Sequence, residues 1–254
     1  VLRAFGQEVM SRTRTYVIAE DMGTTPADMA YLARFTPPGL VAGCAQATNP
    51  SPFTARGLLM GVKATIGGQS ENIKHFSYAI QGVGSVGMAF LDMLWKADVR
   101  RIAISDTRAS AIARACEGRE GIDIVEPDRI HMTGADVFVP CAGGGILNEQ
   151  TMDEMTNSSV WAIAGCANNQ LATPEDGDRL FERGIRYAVD YIINAGGAAE
   201  VVSEMIGTPA EVLMKRIPAT LERIYAISDA DFLPPSRVAD NMVKERVALL
   251  YSPL

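Results

Sequence analysis

Between residues 75 and 194, short apolar runs alternate with stretches that have the hydrophobic spacing of helices. The runs that predict strands are HFSYAIQG, RRIAISD, GIDIV, MTGADVFVPCA, VWAIAGCA and IRYAVDYIIN. Helical spacing is clearest in SVGMAFLDMLWKAD and ASAIARACE. Nearly continuous apolar strands separated by helices are typical of a parallel sheet that is covered on both faces. The pattern therefore predicts an α/β fold built on a doubly wound, mostly parallel sheet.

The first 48 residues have a different pattern. They predict a helix at about 1–12, a strand at 15–21 and a short helix over 26–32. The segment TPPGLVAG at 36–43 contains two prolines and two glycines, which is typical of a linker. We therefore expect these residues to belong to a separate unit that ends before the main sheet begins.

A capped helix begins the next part of the chain. Ser51 is the predicted N-cap, and Pro52 fits the first helical position because its ring presets φ and its missing N–H is not needed there. Gly67 and Gly68 predict the end of this helix.

The pattern of residues 197–254 is helical. The segment TPAE predicts a capping box, with Thr208 as the cap, Pro209 at the first helical position and Glu211 reaching back. Pro218 removes a backbone donor, so we expect it to kink or break that helix.

A last helix is predicted at about 236–250. A helical tail after the final strand suggests that the chain returns to pack on the first unit. We therefore divide the chain into a first unit of residues 1–48, a main unit of 49–229 and a returning helix of 230–254.

Composition and charge exclude several classes of function. The formal charge is −7, which disfavours partners such as nucleic acid or an anionic membrane surface. No apolar run approaches the ~18 residues of a membrane span, and the N-terminus lacks a signal pattern, so we expect a cytoplasmic protein with no membrane partner. The four cysteines form no CxxC pair and only two histidines are present, so we expect neither a metal site nor a Ser-His-Asp triad.

A glycine pattern, QGVGSVG, carries the strongest chemical signal. It follows an apolar strand and opens an apolar helix, which is the context of a phosphate-binding turn in a dinucleotide fold. Gly82 permits the tight turn, Gly84 lets a pyrophosphate approach the backbone, and Gly87 allows close packing of helix and strand. The helix N-terminus offers N–H groups and a partial positive charge to phosphate. The alternative interpretation is a glycine turn that serves packing alone.

An acidic residue stands at the end of the next predicted strand. Asp106 can accept hydrogen bonds from both ribose hydroxyls of an adenosine and would repel a 2′-phosphate, which favours NAD over NADP. Arg108, two residues later, weakens that preference slightly.

Three later predicted strands end in small and amide residues, in the segments PCAGGG, AGCANNQL and DYIINAGG. Ligands bind beyond the carboxyl ends of such strands, and asparagine offers both a donor and an acceptor, which suits a carboxamide or a carboxylate. The alternative is that Asn168, Asn169 and Asn194 only satisfy loop backbone. Cys141 and Cys166 are interpreted as small buried residues, because no histidine or lysine lies near them in sequence to activate a thiol.

With these motifs in order, the chain resembles the glutamate/leucine/phenylalanine/valine dehydrogenase family, on its leucine and phenylalanine side. The stretches that carry the resemblance are AEDMGTTPADM, NPSPFTARG, QGVGSVG, VPCAGGGILN, GCANNQL and DYIINAGG. The resemblance implies a Rossmann-type NAD-binding domain over 49–229 and the remnant of a second α/β domain for substrate binding and oligomerisation. It also implies NAD-dependent oxidative deamination of an L-amino acid to the 2-oxo acid and ammonia, and assembly into homo-oligomers.

The resemblance also assigns roles to residues. Asp21 matches the catalytic aspartate that transfers protons at the substrate amine, although from the residues alone it is interpreted as a helix-capping or turn acid. Thr54 matches a threonine near the nicotinamide amide, and Asn168 an asparagine at the nicotinamide and the substrate carboxylate. The residues expected to contact NAD are Thr54, Gly82, Val83, Gly84, Ser85, Val86, Gly87, Asp106, Thr107, Cys141, Ala142, Ala167 and Asn168.

The substrate pocket is expected to be nonpolar. By resemblance, Ala19, Ala198 and Val201 line the space for the side chain, while Asn168 and Asn194 lie at the reacting end. A methylene in such a pocket is worth only about 1–3 kcal/mol. The expected substrate is therefore a branched-chain or aromatic L-amino acid without a finer choice.

One departure from the family pattern is large. The family has a lysine in a glycine-rich segment upstream of the aspartate and a second lysine for the substrate carboxylate, and neither segment is present. The chain opens at Val1 in a helical pattern already in progress, so we expect it to be part of a longer protein and inactive alone. The lysines present are Lys63, Lys74, Lys96, Lys215 and Lys244.

Two rival functions follow from the same residues. The missing lysines allow a non-catalytic NAD-binding or oligomerisation module derived from this family. A dehydrogenase acting on a 2-hydroxy acid would need a histidine base, and His75 and His131 both precede predicted strands, at the wrong edge of the sheet.

Overall fold

The α-helices of this fold alternate with its strands along most of the chain. The computed structural model describes residues 1–13, 18–19, 23–37, 41, 50–67 and 72–251. The α-helices among them are α1 (Leu2–Thr13), α2 (Pro26–Leu32), α3 (Ser51–Thr65), α4 (Ser85–Lys96), α5 (Ala109–Cys116), α6 (Glu149–Glu154), α7 (Pro174–Glu182), α8 (Asp190–Ile193), α9 (Gly196–Ile206), α10 (Ala210–Met214), α11 (Arg216–Asp231) and α12 (Pro235–Tyr251). None of the helices described is long and apolar enough to cross a membrane.

A parallel sheet lies at the centre of the part of the chain that the structure describes. Its six described strands are β1 (Tyr78–Gln81), β2 (Ile102–Ser105), β3 (Asp123–Ile124), β4 (Val137–Pro140), β5 (Ala162–Ile163) and β6 (Arg186–Tyr187). They lie in the order β3-β2-β1-β4-β5-β6, and every neighbouring pair is parallel. This is the strand order of the Rossmann fold, with its switch point between β1 and β4. The predicted fold class is confirmed.

In β1, β2, β4 and β5, successive apolar residues belong alternately to two different cores. In β1, Tyr78 and Ile80 pack in a core with Leu58 of α3 and Leu94 of α4. Ala79, between them, points into a second core on the opposite face. The second core includes apolar residues of α6, α7 and α12, so helices cover both faces of the sheet.

The N-terminal predictions are only partly covered by the described residues. Helices α1 and α2 confirm the helices predicted at 1–12 and 26–32. Most of the predicted strand at 15–21 and of the linker at 36–43 lies outside the described residues. Ile18 and Val41 are described and form a parallel bridge.

The predicted N-cap of α3 is wrong by one residue. The cap is Pro50, whose φ of −72° and ψ of −12° are already helical, and Ser51 is the first residue of the helix. The carbonyl of Pro50 accepts the N–H of Thr54 at 3.0 Å, which starts the helical ladder there. At the other end, α3 stops at Thr65 and Gly67 takes a φ of +101°, while Gly68 lies outside the described residues.

The predicted capping box at TPAE is also wrong. Helix α10 begins at Ala210 with Pro209 as its cap, and no side chain caps it. The carboxylate of Glu211 pairs with Arg56 of α3 at 3.0 Å, so it is drawn to another helix. The break expected from Pro218 is confirmed, because α10 and α11 separate at Lys215.

The run IRYAVDYIIN is a strand only at its start. Strand β6 ends at Tyr187, and Asp190 begins the one-turn helix α8. The Asp190 carboxylate accepts the N–H of Tyr191 at 2.8 Å and that of Gln170 at 3.2 Å, which favours a helical turn over a continued strand.

The last predicted helix is confirmed as α12, which contacts α7, α11 and β6. The division of the chain at 48 and 229 stays a prediction.

Candidate functional site

The glycine turn after β1 depends on two residues without side chains. Gly82 has a φ of +90°, and a Cβ there would lie 2.9 Å from the Cβ of Ala142. A Cβ on Gly87 would overlap the carbonyl oxygen of Gly82. Helix α4 therefore starts directly above the turn, next to the end of β4.

The space around Gly84, the middle glycine of the turn, is open. A Cβ on Gly84 would meet only the Nη2 atom of Arg108, at 3.6 Å. Gly84 caps α4, and the first hydrogen bond of the helix runs from the Met88 N–H to the Gly84 carbonyl at 2.9 Å. The amides before Met88 belong to the first turn, where helical N–H groups have no intrahelical acceptor. This cradle fits an anionic group, which a side chain at Gly84 would displace.

Asp106 lies beside this cradle, directly after β2. Its Oδ2 atom accepts the backbone N–H of Val83 at 3.0 Å, which ties the strand end to the turn. Its Oδ1 atom accepts the backbone N–H of Arg108 at 2.9 Å. The Arg108 guanidinium also donates to the carboxylate, and this hydrogen bond is the main reason that the pKa of Asp106 is lowered. The sequence predicted the position of Asp106, but not that the Arg108 guanidinium binds both oxygens of its carboxylate.

Two asparagines meet at the carboxyl edge of the sheet, the edge where its parallel strands end. The Asn194 side-chain amide donates to Oδ1 of Asn168 at 2.6 Å. Asn194 follows α8, so the expectation that it ends a strand is wrong, yet it lies beside Asn168. A Cβ on Gly144 would lie 2.7 Å from the Asn168 carbonyl oxygen, so the loop after β4 packs on the loop after β5.

Gln170 is a residue of this edge that sequence reasoning missed. Its side-chain amide is buried and donates to the carbonyls of Gly165 at 2.8 Å and Ala167 at 2.9 Å. It thereby fixes the loop that carries Asn168. A glutamine within a run of small and amide residues was the available signal.

Helices α3 and α9 bring Thr54 to the segment after Asn194. A Cβ on Gly196 would overlap the carbonyl oxygen of Phe53, and one on Gly197 would lie 2.7 Å from Oγ1 of Thr54. The Thr54 hydroxyl donates to the Pro50 carbonyl at 3.3 Å.

Two cysteines follow β4 and β5 at the carboxyl edge of the sheet. Cys141 and Cys166 are partly buried free thiols. A hydrogen bond that the Cys166 thiol donates to Cys141, and then burial, raise the pKa of Cys166, so that it stays protonated at neutral pH.

The other residues predicted to contact NAD or the substrate differ in their exposure to solvent. Val83 and Ala167 are buried, and Val86 is half-buried. Those that are exposed are Ser85, Thr107, Ala142 and Ala198.

The remaining residues of the predicted substrate and catalytic site, and the two histidines, lie away from the Asn168–Asn194 pair or outside the described residues. Ala19 is half-buried next to Ile18, and Val201 is half-buried on α9. Asp21 lies outside the described residues. His75 and His131 precede β1 and β4, at the opposite edge of the sheet, and His131 is buried against Glu154 at 2.6 Å.

Comparisons with known proteins agree with this geometry. The model of the Glutamate/Leucine/Phenylalanine/Valine dehydrogenase family matches residues 108–226. A leucine dehydrogenase of Geobacillus stearothermophilus is 37% identical over 254 residues, which cover 97% of this chain and 68% of that protein. A phenylalanine dehydrogenase of Bacillus thermotolerans is 37% identical over 264 residues, covering 97% of this chain and 66% of that protein. The crystal structure of L-tryptophan dehydrogenase from Nostoc punctiforme superposes with a TM-score of 0.78 at 32% identity, covering 97% of this chain and 71% of that one.

The fold and the glycine turn define a protein of the Rossmann dinucleotide-binding class. The chain belongs to the glutamate/leucine/phenylalanine/valine dehydrogenase family of amino acid dehydrogenases.

Proposed function

We propose that the protein catalyses the NAD-dependent oxidative deamination of a nonpolar L-amino acid to its 2-oxo acid and ammonia, and the reverse reaction. One observation carries the proposal. The open cradle at Gly84 and the carboxylate of Asp106 lie side by side and are joined through the Val83 N–H, as an adenosine diphosphate moiety requires.

The residues present fit a dinucleotide in a defined direction. Asp106 would hold the adenosine ribose, and the amides at the start of α4 would hold the pyrophosphate above Gly84. Asn168 and Thr54 would hold the nicotinamide end. When bound, NAD supplies the acceptor for the hydride that leaves the amino acid Cα.

The amide pair would orient the substrate. Asn194 holds the oxygen of Asn168, which leaves the Asn168 NH₂ group available to a carboxylate or a carboxamide. Ala19, Ala198 and Val201 would bound the side-chain pocket, and their small or apolar side chains support a nonpolar substrate.

Asp21 is the proposed proton carrier at the substrate amine. In the full-length gene product, Asp21→Asn is expected to reduce turnover by orders of magnitude and to leave NADH affinity nearly unchanged, because Asp21 belongs to the proton chemistry and not to the nucleotide site. Steady-state rates together with calorimetric NADH titration test this. Turnover like that of the wild type would remove Asp21 from the mechanism.

The second candidate is a non-catalytic NAD-binding module. The observation that favours it is the place of the lysines: Lys74 precedes β1 and Lys96 ends α4, both at the edge of the sheet opposite Asn168. NADH formation from L-leucine, L-valine or L-phenylalanine by the full-length gene product would support the dehydrogenase. Saturable NADH binding without any turnover would support the module.

We also propose that the protein forms homo-oligomers. Apolar side chains are exposed on α9, at Met205 and Ile206, and near the end of α12, at Leu249 and Leu250. Exposed apolar groups of this kind are typical of covered surfaces. Light scattering tests the proposal, and a purely monomeric species at micromolar concentration would contradict it.

A further inference from the structure

The guanidinium of Arg108 occupies the position at which an adenosine ribose would bind. Its Nε atom donates to Oδ1 of Asp106 at 3.0 Å, and its Nη2 atom donates to Oδ2 at 3.1 Å. The backbone N–H groups of Val83 and Arg108 donate to the same two oxygens. Two carboxylate oxygens offer about four acceptor sites, so all of them are engaged.

The same guanidinium also overhangs the phosphate cradle. Among the described residues not adjacent to Gly84 in the chain, its Nη2 atom alone lies within 4 Å of a Cβ built on Gly84, at 3.6 Å. It thus lies between the ribose acceptor and the pyrophosphate position, and an adenosine ribose must displace it to reach Asp106.

The Arg108 side chain is open to solvent, whereas the Asp106 side chain is enclosed. The Arg108 side chain is 58% exposed and the Asp106 side chain only 6%. Arg108 caps α5 without any side-chain capping bond, so its guanidinium can leave while its backbone N–H still holds Asp106.

We propose that Arg108 is a specificity-determining residue of the dinucleotide site: its guanidinium leaves Asp106 when the adenosine ribose binds and then stands beside the ribose 2′ position. There it offsets part of the repulsion between Asp106 and a 2′-phosphate, so that the site accepts NADP in addition to NAD, with a weaker affinity for NADP. Arginine suits this part because its planar fork matches both carboxylate and phosphate. The inference rests on the proposed function, which supplies the dinucleotide.

Removal of the guanidinium has opposite effects on the two cofactors. Arg108→Ala frees Asp106, so NADH binding is expected to tighten, by about fivefold at most because the displaced ion pair is exposed. NADPH loses a charge-assisted contact, so its binding is expected to weaken by about tenfold or more. The ratio of the two dissociation constants therefore rises by more than about tenfold.

The experiment is a calorimetric titration of NADH and NADPH into the wild type, Arg108→Ala and Arg114→Ala. Arg114 is the matched control, because it is an exposed arginine in the last turn of the same helix. Arg108→Gln replaces Arg108→Ala if the latter unfolds at a lower temperature. Arg114→Ala is expected to leave the ratio unchanged.

The outcomes distinguish a failure of the role given to Arg108 from a failure of the proposed function. Wild-type protein that binds NADH but shows no NADPH binding overturns the part given to Arg108, and so does a ratio that stays unchanged in Arg108→Ala. Wild-type protein that binds neither cofactor overturns the proposed function as well.

Discussion

The side-chain amide of Asn194 donates a hydrogen bond to the side-chain oxygen of Asn168, at a distance of 2.6 Å. The two residues belong to different loops, one after β5 and one after α8. The contact fixes which end of the Asn168 amide faces its neighbour, so that the NH₂ group is the end left for a ligand.

Loss of this contact is expected to affect the reaction more than cofactor binding. In the full-length gene product, Asn194→Ala is expected to lower kcat by about tenfold, because Asn168 loses the partner that orients it. Asn194→Asp is nearly isosteric but cannot donate when ionised, and we expect the same loss. Steady-state kinetics and NADH titration are the measurements. A kcat like that of the wild type in both variants would show that the contact has no part in orientation.

Alanine substitutions at two glycines of the turn are expected to have different effects, one on NADH binding and one on stability. The methyl group of Gly84→Ala meets only Arg108 among the described residues, so the protein is expected to fold normally. NADH binding is expected to weaken by at least about tenfold, because the methyl group takes the place of the pyrophosphate. Gly87→Ala overlaps the Gly82 carbonyl oxygen, so the free energy of unfolding is expected to fall by about 1–3 kcal/mol.

Urea unfolding and NADH calorimetry separate these effects. NADH affinity at the wild-type level in a folded Gly84→Ala variant would place the pyrophosphate elsewhere. Full stability of Gly87→Ala would mean that α4 does not need its close approach to the turn.

Asp106 is expected to decide against NADP. Asp106→Ala removes the ribose acceptor and the charge that repels a 2′-phosphate. NADH binding is expected to weaken by about tenfold, as for other hydrogen bonds to charged groups, while NADPH binding weakens less or improves. Fluorescence titration with both cofactors measures the gap, and an unchanged gap would exclude Asp106 from cofactor choice.

An ion pair between α7 and α12 gives the fold a dependence on pH. Arg237 donates to both oxygens of Asp178, at 3.0 Å and 2.7 Å, and this lowers the pKa of Asp178 below its usual 3.8. The pair therefore stabilises the fold above that value, and the stabilisation is lost as the pH falls through the lowered pKa.

Asp178→Asn is expected to cost about 1 kcal/mol or less of unfolding free energy near neutral pH, because both partners are partly exposed. The cost is expected to vanish in acid. Asp229→Asn, which breaks a longer and more exposed pair with Arg186, is the control with a smaller effect. Urea unfolding at both pH values is the test, and a cost of Asp178→Asn that grows in acid would reverse the assigned sign.

The sequence was sufficient for the sheet and the turn because both are set by local spacing. Gly82, Gly84 and Gly87 stand in a fixed relation to one strand and one helix, so the turn could be predicted. The start of α8 at Asp190 could not be predicted, because its partner Gln170 is distant in sequence.

The same reason explains the other differences. Glu211 fits a local capping box by spacing, but Arg56 on another helix takes its carboxylate. The local pattern allows the side chain of Arg108 to point into solvent, whereas in the structure its guanidinium binds the Asp106 carboxylate. Where the local sequence allows several partners for a side chain, tertiary packing decides among them, so the contact cannot be predicted from the local pattern.

The central claim is that residues 1–254 contain a nicotinamide dinucleotide site formed by the Gly82–Gly87 turn and Asp106. Calorimetric titration of this chain with NADH tests it most directly. We predict saturable binding at a single site per chain, abolished or much weakened in Gly84→Ala. The absence of saturable binding by the folded wild-type chain would contradict the claim.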